Sequence, residues 1–178
     1  MSLNLLHDIT SGDNVPNEIT VVVEINKCSK NKYELDKKTG LLKLDRAMHT
    51  SQDYPFDYGF VPQTHWYDGD PLDVVLLTTN PLIPGILLTA RPVAVMDMID
   101  AGESDAKIIA VPVGDPRFDD VQDLEDINPH IIKEITHFFE TYKHLQNKVV
   151  TIDKVEGVER AREVIMESIE LYKKEFQN

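Results

Sequence analysis

The segment Asp68-Gly-Asp-Pro-Leu-Asp-Val74 concentrates three carboxylates in one short stretch. On an extended backbone Asp68 and Asp70 point to the same side, because side chains alternate with a period of two. Gly69 permits a tight turn, Pro71 fixes φ, and Asp73 opens the apolar run Val74-Val-Leu-Leu77. Three carboxylates this close repel at neutral pH unless cations sit among them. Hard oxygen donors suit Mg²⁺, Mn²⁺ or Ca²⁺ better than zinc. The same residues also make an ordinary solvated acidic turn, and taken alone they leave both readings open. Two other patterns fail by position. An EF-hand loop starting at Asp68 would need an oxygen ligand, Gly and Glu where Leu72, Asp73 and Thr79 stand. An Asp-x-Asp-x-Thr nucleophile should follow an apolar strand and carry Thr or Val at Leu72, and neither holds.

Two further groups could join this turn. Asp97, Asp100, Glu103 and Asp105, closed by Lys107, form a second acidic run that reads by itself as a polar turn between strands. Glu24, Lys32, Tyr33, Glu34, Asp36, Arg46, Tyr54 and Tyr58 mix both signs of charge with aromatic rings. A barrel could aim several of them into one mouth, or they could be paired surface charges beside ordinary barrel aromatics.

The elements that must position these groups are legible in outline. Ile19–Ile25 is β-branched, and Tyr33–Asp36 with Leu41–Asp45 flanks Lys37-Lys-Thr-Gly40 as a hairpin. Asp73–Thr78, Gly85–Met96 and Lys107–Val113 continue the strands, which predicts a small closed or partly closed barrel. After Asn128-Pro129, a cap followed by proline at the first helical position, apolar residues from Ile131 to Leu145 follow helical spacing. A strand Val149–Asp153 and a helix with Val158, Ala161, Val164, Ile165, Ile169, Tyr172 and Phe176 on one face complete the chain. The expectation is an α+β fold: a barrel of five or more short strands with two flanking α-helices, residues 1–178 forming one domain.

Composition bounds the partners. With 18 basic against 31 acidic residues the formal net charge is −13. Such a surface repels nucleic-acid backbones and anionic lipid, and cations are its natural company, although composition alone favours a charge that merely keeps the protein in solution. No apolar stretch is long enough to span a bilayer. The N-terminal residues lack the basic and apolar regions of a secretory leader. Cys28 is the only cysteine, which excludes an intrachain disulfide and makes a cytoplasmic address the expectation.

Taken in order, these blocks resemble the short form of the family I soluble inorganic pyrophosphatases of bacteria, archaea and plants. The resemblance runs from about Pro16 to Tyr172. It is carried by Val22-Val-Glu-Ile25, Lys32-Tyr-Glu34, Asp45-Arg46, Tyr54-Pro-Phe-Asp-Tyr-Gly59, Asp68-Gly-Asp-Pro-Leu-Asp73, Arg91-Pro-Val93, Asp100, Asp105-Ala-Lys107 and His137-Phe-Phe-Glu-Thr-Tyr-Lys143. It implies an OB-type five-stranded β-barrel and hydrolysis of pyrophosphate to two phosphates, with a metal-bridging hydroxide attacking phosphorus. By matching position it implies metal ligands at Asp68, Asp73, Asp100, Asp105 and Glu34, with the acid Glu24 standing behind them. Lys32, Arg46, Tyr58, Lys107, Tyr142 and Lys143 would contact substrate. Asp70 would be the base, and Tyr58, Lys32 and Arg46 would share in catalysis. Mg²⁺ is the implied cofactor, with Mn²⁺ or Zn²⁺ as substitutes and Ca²⁺ as inhibitor. A homohexamer is the implied assembly.

Overall fold

The computed structural model describes residues 3–177. Its strands are β1 (Ile19–Ile25), β2 (Asn31–Asp36), β3 (Leu41–Ala47), β4 (Asp57–Phe60), β5 (Asp73–Leu76), β6 (Leu87–Asp100), β7 (Glu103–Pro112) and β8 (Val150–Gly157). The helices are α1 (Pro129–Thr141) and α2 (Val158–Phe176). The main sheet runs β1-β4-β5-β7-β6-β8, and β6 also pairs with β1. That extra pairing closes β1, β4, β5, β7 and β6 into a ring of five, with β8 added outside it. The closed ring agrees with the expected OB-type barrel.

The membership of the ring differs from the expectation. Strands β2 and β3 pair only with each other and form a separate two-stranded sheet. Their place is taken by β4, whose residues Asp57-Tyr-Gly-Phe60 are all buried. A strand wetted on neither face has no alternation to read, which is why periodicity missed it. The acidic run is a turn only at Ala101-Gly102. Asp97, Asp100, Glu103 and Asp105 lie on the ends of the paired strands β6 and β7. Helix α1 also stops earlier than its apolar pattern. Tyr142 is its C-terminal cap, a 3-10 turn covers His144–Gln146, and Asn147 takes a left-handed φ of 55°.

Alternate residues of the barrel feed two apolar clusters. Ile108, Val74 and Val95 pack with Ala161, Val164, Ile165 and Ile169 of α2. Ile109, Val75 and Met96 pack with Ile135, Phe138 and Phe139 of α1, together with Tyr54, Phe56 and Tyr58. Period-two alternation thus lets one strand serve both helices. Among the described residues, no helix is long and apolar enough to cross a membrane.

Gly59 shows how tight the ring is. It pairs with Val23 on one side and Val74 on the other. A Cβ added there would lie 2.0 Å from the Val22 carbonyl oxygen. Backbone cannot step aside as a side chain can, so Gly59→Ala is expected to cost roughly 2–3 kcal/mol, toward the upper end for overpacking. A urea melt that matches the parent would contradict this.

Candidate active site

The acidic turn is locally determined. Gly69 N–H donates to the Trp66 carbonyl at 3.0 Å, and Trp66 N–H donates to the Asp70 carbonyl at 2.8 Å. Gly69 takes a φ of +86°, a conformation that favours glycine. The Asp68 carboxylate accepts the Asp70 N–H at 3.0 Å. Leu72 is fully buried beneath, its N–H donated to Thr64 Oγ1, and so pins the turn to the barrel.

Strand register brings the other groups to this turn. Asp73 opens β5 and pairs directly with Lys107 in the parallel β5–β7 ladder. Asp105, two residues before Lys107, falls on the same face of β7. Lys107 Nζ donates to Asp73 Oδ2 at 2.8 Å and to Asp105 Oδ1 and Oδ2 at 3.0 and 2.9 Å. It also lies 5.5 Å from the Tyr58 ring centre and 5.4 Å from that of Phe139. Burial opposes its charge, but Asp105 and Asp73 hold the ammonium well above the ordinary lysine range. Lys143, just past the end of α1, pairs with Asp100 at the end of β6. Burial lowers the Lys143 pKa, and the Asp100 bond opposes that shift.

One cavity of about 240 Å³ collects most of the expected residues. Its walls include Asp68, Asp70, Asp73, Asp100 and Asp105, the cations Lys32, Lys107 and Lys143, and the rings of Tyr58 and Tyr142. An adjoining cavity of about 380 Å³ shares Lys32, Tyr58, Asp70 and Asp73 with it and adds Glu24 and Glu34. Arg46 lines neither. It sits opposite Lys32 on β3, bonded to Asp45, with its Nε buried and without a partner. Asp97 faces a different cavity with Asp153 and Arg160. The lining also contains Glu103, Lys148, Tyr54 and Phe139, to which the sequence reading assigned no role. Glu103 was visible in the acidic run. Lys148 follows the left-handed Asn147, which ends the 3-10 turn after α1, a change of course that apolar spacing does not report.

The electrostatics are those of crowded acids. Burial pushes the Asp68 carboxyl up to about 6; the Asp70 N–H opposes this, while nearby Asp105 and Asp73 add to it. Burial and the Asp73 charge hold the Tyr58 hydroxyl far above its usual range. Among the described residues, no three His, Cys, Asp or Glu side chains stand in a ready metal-holding cluster. Lysines meet several of the acids instead: Lys107 lies between Asp73 and Asp105, Lys143 on Asp100, Lys37 on Asp70. The donor set nevertheless fits a hard divalent cation. It is all carboxylate, and Asp100 Oδ1 is buried without a hydrogen-bond partner.

A family model described as inorganic pyrophosphatase matches residues 21–173. The chain belongs to the inorganic pyrophosphatase family. Similar members include the soluble inorganic pyrophosphatase of Zea mays, 49% identical over 93% of this chain and 78% of the relative. The inorganic pyrophosphatase of Picrophilus torridus is 43% identical over 97% and 98%. The crystal structure of inorganic pyrophosphatase from Thermus thermophilus superposes with a TM-score of 0.92 at 41% identity, covering 96% of this chain and 99% of that one. As a pyrophosphatase fold, the barrel carries its acids on the turn before β5 and on strand ends, and its cations on the hairpin, β7 and the residues just past α1.

Glu24 ties the hairpin to this barrel. Its Oε1 accepts the Leu35 N–H at 2.7 Å. Burial, then the Asp73 charge, raises its pKa from 4.5 to about 8, against the pull of that hydrogen bond. The folded protein therefore holds a proton that the unfolded chain releases near 4.5. Stability of the metal-free protein should fall as pH rises through the window between those values. Glu24→Gln keeps a carbonyl acceptor for Leu35 but cannot ionise, so it should flatten that slope. Thermal midpoints in EDTA from about pH 5 to 8 decide it; parallel profiles for parent and variant would contradict the assignment.

Proposed function

We propose that this chain is a Mg²⁺-dependent inorganic diphosphatase, a single catalytic domain that hydrolyses pyrophosphate to two phosphates. The observation that carries the reading is the convergence of Asp68, Asp70, Asp73, Asp100 and Asp105 with Lys32, Lys107 and Lys143 on one cavity of a pyrophosphatase fold. Acids alone would repel pyrophosphate, and lysines alone would hold it without acting on it. Both together suit a reaction that adds charge to a substrate already anionic.

Asp68, Asp73, Asp100, Asp105 and Glu34 would hold the cations. The chemistry those cations supply when bound is neutralisation of the substrate's charge and a more acidic attacking water. Asp70 takes a proton from that water, and Tyr58, still protonated, orients it. Lys32, Arg46, Tyr142 and Lys143 take up charge on the departing phosphate, and Lys107, fixed between Asp73 and Asp105, donates from the floor of the site. Glu24 acts behind them by holding β2 through the Leu35 N–H. Mn²⁺ or Zn²⁺ would substitute, whereas the longer, looser bonds of Ca²⁺ should make it a competing inhibitor.

Phosphate release tests the reading. Purified protein with Mg²⁺ is expected to act on pyrophosphate far faster than on ATP or a sugar phosphate, and added Ca²⁺ should suppress that activity. Comparable rates on a phosphomonoester would favour a general phosphatase, and none on any substrate a binding module. We further propose a homohexamer in the cytoplasm, motivated by the resemblance of this chain to short-form pyrophosphatases. Closed symmetric assembly also covers leftover apolar surface such as Ile83, Leu145 and Val149. Sedimentation as a monomer at micromolar concentration would overturn the hexamer.

A further inference from the structure

The hairpin β2–β3 stands outside the barrel ring, yet it carries Lys32 and Glu34 over the cavity. Its inner strand is anchored by Leu35, buried against Leu6, Val22 and Phe60, and by the Glu24 bond. Its tip is anchored separately. Lys37, the first residue after β2, reaches the acidic turn and donates from Nζ to the Gly69 carbonyl at 2.8 Å and to Asp70 Oδ1 at 2.6 Å. One ammonium thus grips both the backbone and a side chain of the same turn.

Asp70 needs such a grip more than its neighbours do. Asp68 is oriented by the N–H it accepts, and Asp73 by Lys107. The Asp70 side chain is 61% exposed, so packing does little to select its rotamer. Among the described residues, Lys37 is the donor that reaches its carboxylate, and Oδ2 is left without a protein partner.

We propose that Lys37 is a positioning residue for the hydrolysis: it holds Asp70 by Oδ1 so that Oδ2 is presented to the reacting water, and it docks the hairpin tip on the acidic turn. This inference rests on the assignment of Asp70 as the base. An ion pair this exposed contributes little to folding stability. Its effect belongs in the rate, where small errors of placement are costly.

The test compares Lys37→Met, Lys37→Arg, Asp70→Asn and the double variant Lys37→Met/Asp70→Asn, each as the full chain, with pyrophosphate and saturating Mg²⁺. Lys37→Met is expected to lower kcat roughly three- to tenfold, change KM less than kcat, and leave the thermal midpoint unchanged. Lys37→Arg, which keeps the charge and reach, should recover most of the loss. With Asp70→Asn already present, Lys37→Met should change kcat by less than about twofold, because the group it positions no longer acts as a base. Parental kcat in Lys37→Met beside a strongly impaired Asp70→Asn would overturn the positioning role while leaving the base assignment standing. An equal loss from Lys37→Met with and without the Asp70 carboxylate would also overturn it, placing Lys37 on the substrate or the hairpin alone. Parental kcat in Asp70→Asn would remove the base assignment itself, and the inference with it.

Discussion

Replacing Asp70 by asparagine is expected to lower kcat by roughly 10²–10⁴, the usual contribution of a positioned general base. Asparagine keeps the shape and one acceptor oxygen but cannot be an anionic base. The turn should survive the change, since it is built from the Trp66, Gly69 and Asp70 backbone groups and from the Asp68 carboxylate. Tight Mg²⁺ binding should therefore remain largely intact, and extra metal should not restore the rate. Hydroxide can replace a missing base, so residual activity should keep rising with pH further into the alkaline range than in the parent. Asp68→Asn and Asp73→Asn provide the contrast: as proposed ligands, their amides should weaken Mg²⁺ binding, and high Mg²⁺ should partly restore activity. The measurement is kcat for each variant over a grid of Mg²⁺ concentration and pH, with folding followed by circular dichroism. Recovery of parental kcat in Asp70→Asn on raising Mg²⁺ alone would make Asp70 a ligand instead.

The second large effect is expected at Lys107. Its ammonium is the only cation bonded to Asp73 and Asp105 among the described residues, and its side chain is nearly fully buried. Lys107→Met preserves the stem that packs near Tyr58 and Phe139 but leaves two carboxylates facing each other. Removing one partner of a buried ion group typically costs about 3–5 kcal/mol. Burial already raises the Asp105 pKa, against the pull of Lys107, so losing the ammonium should raise it further. Protonation then relieves part of the cost, and the variant should regain stability as the pH is lowered. Mg²⁺ should stabilise the variant more than the parent, because a cation between the carboxylates replaces the lost charge. Loss of a donor to the phosphates should also lower kcat/KM by at least about tenfold. Urea midpoints in EDTA and in Mg²⁺ decide the case. A variant as stable as the parent in EDTA would mean that the two carboxylates are not held by Lys107.

The two helices were legible because an amphipathic face repeats every three to four residues wherever the helix lies. Ile135, Phe138 and Phe139 of α1, and Val164, Ile165 and Ile169 of α2, are buried as that spacing requires. The end of α1 was not legible, because Leu145 keeps the apolar spacing after the backbone has left the helix; it is 70% exposed. Strand β4 was missed for the opposite reason: burial on every side erases alternation.

The amino-acid sequence by itself determined the chemistry available to this protein. The acidic turn Asp68–Asp73 is specified by a glycine, a proline and carboxylates at fixed short spacing, and its folding needs few distant partners. The tertiary structure decided which other groups join it. Asp97 and Asp100 belong to one acidic run, but they lie three apart on β6, so alternation along the strand sends them to different cavities. Lys107 meets Asp73 only because β5 and β7, separated in the chain by β6, pair directly and in parallel, a register set by burial of their Val and Ile residues. Lys37 meets Asp70 only because the β2–β3 hairpin lies outside the ring and folds over the turn. Local spacing determines which side chains can point together, but long-range register determines which ones do, and that register depends on apolar contacts between residues far apart in the chain.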